Sequence, residues 1–215
     1  MHIRCQNTRP WLRCAPIAPR APPRAWIHVR IALFGGSFDP PHWGHVLAAT
    51  WAVVAGRLDQ VWILPVARHP YGKPLAPWEQ RWQLCQAAFA HLPFVRLRDD
   101  ELRNPNGYTY DLVEAFMRAA PQAQWFLVGG GDTARDLRHW HRGEELARLI
   151  TVISVPRSGY NMHAAAVPAI SSTTIRERLA SGASIAEYVP PAVAELIAAH
   201  GWYAPGQRPA VSPGT

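Results

Sequence analysis

Cysteine is scarce in this chain of 215 residues, with only Cys5, Cys14 and Cys85. Three scattered thiols supply neither a disulfide framework nor the paired spacing of a zinc site, so a reducing cytoplasmic location is the simplest expectation. No apolar run approaches the roughly 20 residues that a bilayer span requires, which argues against a membrane protein. Charge is also sparse, at 17% of residues against 48% apolar. A chain of that composition folds, and its length allows one domain with short appendages. Internal repeats are absent, and low complexity is confined to the two ends.

Acid is missing altogether from residues 1–29, whose arginines at 4, 9, 13, 20 and 24 account for five of the seven net positive charges. The remainder is close to neutral and carries no basic stripe interleaved with aromatics, so a nucleic-acid partner is not expected. Prolines at 10, 16, 19, 22 and 23 block a regular amphipathic helix, which weakens a transit-peptide reading, and no apolar core of a secretory signal is present. Residues 1–29 are therefore expected to be a disordered basic extension. A translation start set too far upstream would explain it, since Val29 stands just before the first strand; finding residues 1–28 in the native protein by N-terminal sequencing would reject that hypothesis. Residues 205–215 are expected to be a flexible tail.

Between the two ends, residues 30–204 alternate strand and helix patterns without a break. Apolar runs at 31–34, 61–64, 94–97, 125–128 and 149–155 read as strands. Helical stretches at 43–55, 78–91, 109–119, from the turn at 129–131 to about Trp140, and at 144–148 separate them, and 172–181 and 190–200 read as helices at the C-terminal end. Five strands separated by helices imply a doubly wound, Rossmann-like parallel sheet with helices on both faces and a helical C-terminal part. Ligands in such folds bind at the carboxyl ends of the strands. Trp51, Trp62, Trp82 and Trp125 fall within these elements and are expected in the core.

The most informative stretch is Ile31–Thr50, in which an apolar run passes through Gly35-Gly36-Ser37 and a Pro-Pro pair into a helix opening at His42-Trp43-Gly44-His45. Amides of the Gly-Gly-Ser loop can converge on one anion, and the helix behind them presents unpaired N–H groups and the positive end of its dipole. His42 and His45, three apart, share a face, and Gly44 leaves room for a flat base. Alone, Gly-Gly-Ser would be no more than a tight turn.

The whole stretch, G-G-S-F-D-P-P-H-W-G-H, resembles the signature of the nucleotidyltransferase superfamily, and most closely that of bacterial nicotinate-nucleotide adenylyltransferases. A second stretch, I-S-S-T-T-I-R at 170–176, reads by itself as a helix start capped by Ser171 or Ser172 with an arginine one turn on. It also resembles the second signature of the same enzymes. G-G-G-D at 129–132 followed by Trp140, G-Y-T-Y-D at 107–111, and the 189–203 segment ending in Gly-Trp-Tyr resemble further family segments.

The resemblance implies transfer of AMP from ATP to nicotinate mononucleotide, with Mg²⁺ accompanying ATP. It assigns catalysis to His42, His45 and Arg176, with His45 nearer the α-phosphate. ATP would be held by Gly35, Gly36, Ser37, Phe38, Gly44, Gly130 and Asp132 together with Ser171, Ser172 and Thr173. The mononucleotide would meet Ser37, His69, Lys73, Thr109 and Trp140, whose ring stacks on the pyridine. Asp132 read alone could equally be a helix cap. Three departures stand out: Tyr71 and Gly72 separate His69 from Lys73, Leu112 replaces a threonine, and the segment between Arg157 and Ile170 is short. Other acceptors, nicotinamide mononucleotide or phosphopantetheine, and a non-catalytic nucleotide-binding protein are the alternatives.

Overall fold

The computed structural model describes residues 29–68, 72–156 and 168–204. The expectations for the N-terminal extension, the C-terminal tail and His69 fall outside them, as does most of the short segment before Ile170.

Five strands pair in parallel in the order β3-β2-β1-β4-β5, formed by Arg30–Gly36 (β1), Gln60–Pro65 (β2), Val95–Leu97 (β3), Gln124–Gly129 (β4) and Thr151–Ser154 (β5). Their side chains alternate between two cores. Ala32, Phe34, Val61, Ile63 and Val128 face one, while Ile31, Leu33, Trp62, Leu64, Trp125 and Leu127 face the other. Both faces are covered, which is why the strands read as unbroken apolar runs rather than alternating ones. The first core is closed by α1 (Trp43–Gly56), α2 (Trp78–Phe89), α6 (Ser172–Ala180) and α7 (Pro191–His200). The second is closed by α3 (Thr109–Ala119) and α5 (Gly143–Leu149). The helix expected to end near Trp140 divides into α4 (Gly131–Asp136) and a 3-10 turn, Leu137–His139.

Strand order reverses at β1, and the register shows how a crevice opens there. β1 pairs with β4 only from Arg30–Gln124 to Leu33–Leu127, whereas its pairing with β2 continues to Gly36–Pro65. Beyond Leu33 the two central strands part, as binding sites of doubly wound sheets require. Gly35 and Gly36, expected in a loop, are thus the last paired residues of β1.

Two tryptophan expectations are corrected. Trp51 is exposed, because α1 approaches the sheet through Ala48, Ala49 and Ala52 and turns Trp51 outward. An almost continuously apolar helix gives little indication from its sequence of which face is buried. Trp82 is half-buried and stacks on Trp78 at 4.8 Å.

Two buried polar residues organise the loops above the sheet. Arg81 of α2 is 1% exposed. It donates to the carbonyls of Ala76 (2.9 Å), Ser37 (2.8 Å) and Val66 (2.8 Å), tying the segments after β1 and β2 to the start of α2. Asp39 accepts from the Ala76 N–H at 3.3 Å and from the Tyr203 hydroxyl at 2.8 Å. The C-terminal Gly-Trp-Tyr segment therefore does more than pack, since it carries a bond into the motif loop. Tyr203→Phe removes that donor from a buried carboxylate and is expected to cost about 1–2 kcal/mol, measurable as a lower urea midpoint at unchanged m-value.

Candidate active site

Two cavities meet in the crevice. The larger, about 590 Å³, is lined by Gly36, Ser37, Glu101, Tyr108, Thr109, His139, Trp140 and His141 among others. The smaller, about 180 Å³, is lined by His42, Gly44, His45, Gly130, Asp132 and Ile170 among others. Gly35, Val128 and Thr133 border both. The strand end where β1 and β4 part is thus the point at which a ligand in one cavity would touch a ligand in the other.

The smaller cavity is built on helix starts. His42 is the N-cap of α1 and is 5% exposed. Its ring stacks on His45 with centroids 3.7 Å apart. The His42 backbone N–H donates to His45 Nδ1 at 3.2 Å. That bond occupies Nδ1 as an acceptor, so the neutral His45 ring carries its proton on Nε2, where it can be donated. Phe38 lies 4.8 Å from the His45 ring and is itself in the core. Its side chain lines neither cavity and serves as a floor for His45. At Gly44 a Cβ would stand 2.9 Å from His42 Nδ1, so the glycine lets the His42 ring lie against the helix start.

Across the motif loop, Ser171 caps α6, its Oγ accepting from the Thr174 N–H at 3.1 Å. Ser172 Oγ donates to the Pro40 carbonyl at 2.8 Å. Arg176 donates to the Asp39 carbonyl and, at 3.2 Å, to Thr173 Oγ1. The two sequence motifs are thus bound to each other, 132 residues apart for Ser172 and Pro40. Ile170 reaches the cavity wall, while Ser171, Ser172, Thr173 and Arg176 stand behind it and do not line it.

Asp132 is in the first turn of α4, whose N-cap is Gly130, so it is not the cap. A Cβ on Gly130 would meet Asp132 Oδ1 at 2.4 Å, and one on Gly129 would meet Thr133 at 2.4 Å. Glycine at both positions is what allows α4 to turn back sharply over the end of β4. Asp132 is left exposed at the cavity.

Thr109 and Trp140 both line the larger cavity, as expected for residues meeting one ligand. Thr109 opens α3, so the unpaired amides of that helix start lie at the wall and favour an anion. Leu112, one of the departures, is buried and lines the same cavity. Lys73 is exposed and lines neither cavity.

Sequence reasoning missed four neighbours. Glu101 is buried, and burial raises its carboxyl to about 7. His139 and His141 flank Trp140, and the His141 ring stacks on Tyr108 at 4.1 Å. Arg81 was hidden because it reads as one arginine of an ordinary helix. The H-W-H triplet was the available signal for the histidines.

Among the described residues, no cluster of three or more His, Cys, Asp or Glu side chains could hold a metal ion. No helix among them is long and apolar enough to cross a membrane.

Comparison with known proteins agrees with this geometry. Residues 33–178 match the family described as cytidylyltransferase-like. A Thermus thermophilus protein named as a nicotinate-nucleotide adenylyltransferase is 40% identical over 185 residues, which span 81% of this chain and 100% of that one. A solved Vibrio parahaemolyticus structure given the same activity superposes with a TM-score of 0.64 at 27% identity, covering 81% of this chain and 95% of that chain. The fold is shared with a Plasmodium falciparum nicotinic acid mononucleotide adenylyltransferase complexed with NaAD, at TM-score 0.70, 20% identity, and 82% and 98% coverage. With a divided crevice, paired histidines at a helix start and a near full-length relative at that identity, the chain belongs to the cytidylyltransferase-like nucleotidyltransferases and, within them, to the nicotinate-nucleotide adenylyltransferase family.

Proposed function

We propose that this protein transfers AMP from ATP to nicotinate mononucleotide, releasing pyrophosphate and forming nicotinate adenine dinucleotide, a step of NAD synthesis. The observation that carries the reading is the pair of cavities joined at Gly35, one bordered by His42, His45 and Asp132 and the other by Thr109 and Trp140. The smaller, at about 180 Å³, takes the part of ATP around the α-phosphate at the junction, and the rest of the nucleotide extends beyond it. The mononucleotide fits the larger, with its pyridine at Trp140 and its phosphate at Gly36 and Ser37.

An oxygen of the mononucleotide phosphate attacks the α-phosphorus in line, and the bond to the β-phosphate oxygen breaks. A phosphate monoester has its second pKa near ~6, so the attacking oxygen is already ionised at neutral pH. No general base is needed, and catalysis becomes positioning plus stabilisation of charge. On this reading His45, which lines the smaller cavity, donates from Nε2–H to the α-phosphate, with the start of α1 behind it. Arg176 supplies positive charge to the leaving pyrophosphate by exchanging its bond to the Asp39 carbonyl for one to phosphate. Ser172 and Thr173 act from behind the cavity wall, tying the start of α6 to the Pro40 carbonyl and steadying Arg176 through Thr173 Oγ1. Mg²⁺ enters as part of the ATP substrate, carried by the phosphates.

The start of α3, whose amides lie at the wall beside Thr109, favours an acceptor with a ring carboxylate over the neutral amide. A cytoplasmic location is consistent with the free, buried Cys85.

Purified protein offered ATP and Mg²⁺ should release pyrophosphate fastest with nicotinate mononucleotide, slower with nicotinamide mononucleotide and not with phosphopantetheine. No turnover with any of them would overturn the enzyme reading, and preference for another acceptor would replace the substrate. An aromatic stack is worth about 0.5–1.5 kcal/mol beyond area burial. Trp140→Ala should therefore raise the acceptor KM about tenfold with little change in KM for ATP.

A further inference from the structure

The larger cavity contains one buried acid that the reaction above does not use. Glu101 lies in the 3-10 turn Asp100–Arg103 and is 5% exposed, yet it borders the same cavity as Thr109 and Trp140. Its Oε2 accepts from Asn104 Nδ2 at 3.2 Å. The same Nδ2 group donates to the Tyr108 carbonyl at 3.2 Å, the N-cap residue of α3. Asn104 Oδ1 is buried and has no hydrogen-bond partner among the described residues. Glu101 therefore holds, through Asn104, the turn that presents Thr109 to the acceptor.

We propose that Glu101 is a proton-linked positioning residue of the acceptor pocket: neutral, it admits a pyridine nucleotide bearing a ring carboxylate, and ionised, it repels that carboxylate while leaving a carboxamide unaffected. This rests on the acceptor assignment above and adds to it a pH dependence of acceptor choice. Two buried anions in one pocket cannot both be ionised cheaply, so binding the carboxylate takes up a proton on Glu101.

The surroundings set the sign. Burial is the largest cause of the raised carboxyl, the Asn104 bond opposes it, and Asp100 adds to it. Asp100 is itself held by Arg98 at 2.8 Å and Arg103 at 3.6 Å. His139, His141 and Tyr108 border the cavity from the other elements. Below about pH 7 the neutral Glu101 favours binding of the anion; above it the ionised carboxylate weakens that binding progressively.

The test measures KM and kcat for nicotinate and nicotinamide mononucleotides between pH 6 and 9 in the wild type, Glu101→Gln and Glu101→Ala. For the wild type, KM for the nicotinate substrate should rise about three- to tenfold from pH 6 to pH 8, the effect of one proton, while KM for the amide stays flat. Glu101→Gln keeps an acceptor for Asn104 without the charge. It should lose most of that rise and bind the nicotinate substrate more tightly than the wild type at pH 8. Glu101→Ala should raise KM at every pH, with kcat little changed, and a melt at pH 8 confirms that each variant is folded. Calorimetry of nicotinate mononucleotide binding in two buffers of different ionisation heat reads proton uptake without turnover. Uptake near pH 7.5 that disappears in Glu101→Gln supports the proposal even if turnover fails. An identical pH profile in Glu101→Gln and wild type would assign the dependence to the histidines or the acceptor phosphate and overturn it, as would a flat profile in the wild type.

Discussion

His45→Ala lowers turnover by about a hundredfold or more and leaves the fold intact: this is the largest effect expected on activity. The magnitude follows from removing one preorganised donor from a developing phosphoryl charge, which costs about 3–4 kcal/mol of barrier. His45 is suited to that role because its donor is fixed before ATP arrives. The His42 N–H takes Nδ1 at 3.2 Å, the His42 ring stacks on one face at 3.7 Å, and Phe38 supports the ring at 4.8 Å. The proton is thereby directed to Nε2, and little orientation remains to be lost on reaching the transition state. Truncation gives up one hydrogen bond at a helix start and some ring contact in a half-buried position, so the loss of stability should be about 1–2 kcal/mol. The check is steady-state pyrophosphate release beside a thermal melt. His45→Gln, which can donate from a similar place without titrating, should recover part of the loss. Near-normal turnover in the alanine variant would remove His45 from the chemistry, and a collapsed melt would make it a structural residue.

Much of the fold could be read from the sequence because the sheet is buried on both faces. Runs such as Val61-Trp62-Ile63-Leu64 are apolar at every position, and short runs of that kind between helical patterns have few alternatives. α3 was located to the residue because a sharply amphipathic segment follows Gly107. The orientation of α1 was not legible, since V-L-A-A-T-W-A-V-V-A offers apolar residues on every side and only packing turns Trp51 outward.

The site divides in the same way. Local motifs announce themselves, so His42, His45, Asp132, Thr109 and Trp140 were found and all border the crevice. What joins the motifs was hidden, because Ser172 meets Pro40 and Tyr203 meets Asp39 across long stretches of chain. Side-chain bonds to backbone carbonyls carry no residue pattern at the accepting end. Arg81, which makes three of them, looks in sequence like a solvated helix arginine.

Arg81→Met should for that reason have the largest effect on stability, about 3–5 kcal/mol. Methionine roughly fills the volume but donates nothing, so the carbonyls of Ser37, Val66 and Ala76 lose their partners at once. Asp39 meanwhile loses a nearby cation. Burial pulls the Arg81 guanidinium below its usual range, with Asp39 pushing the other way, so the ion is retained at a desolvation cost that only its full set of bonds offsets. For a domain of this size each kcal/mol is worth about 2–4 °C in Tm, so a drop on the order of 10 °C is expected. Arg81→Lys is the sharper test. A lysine keeps the charge near Asp39 but offers one ammonium where a planar fork reaches three separated carbonyls. If charge alone mattered, Arg81→Lys would melt with the wild type. If the fork matters, it should lose well over half of what Arg81→Met loses, and kcat should fall in the folded fraction of both variants, because Ser37 and the loop that carries Asp39 are the same segment that leads into His42.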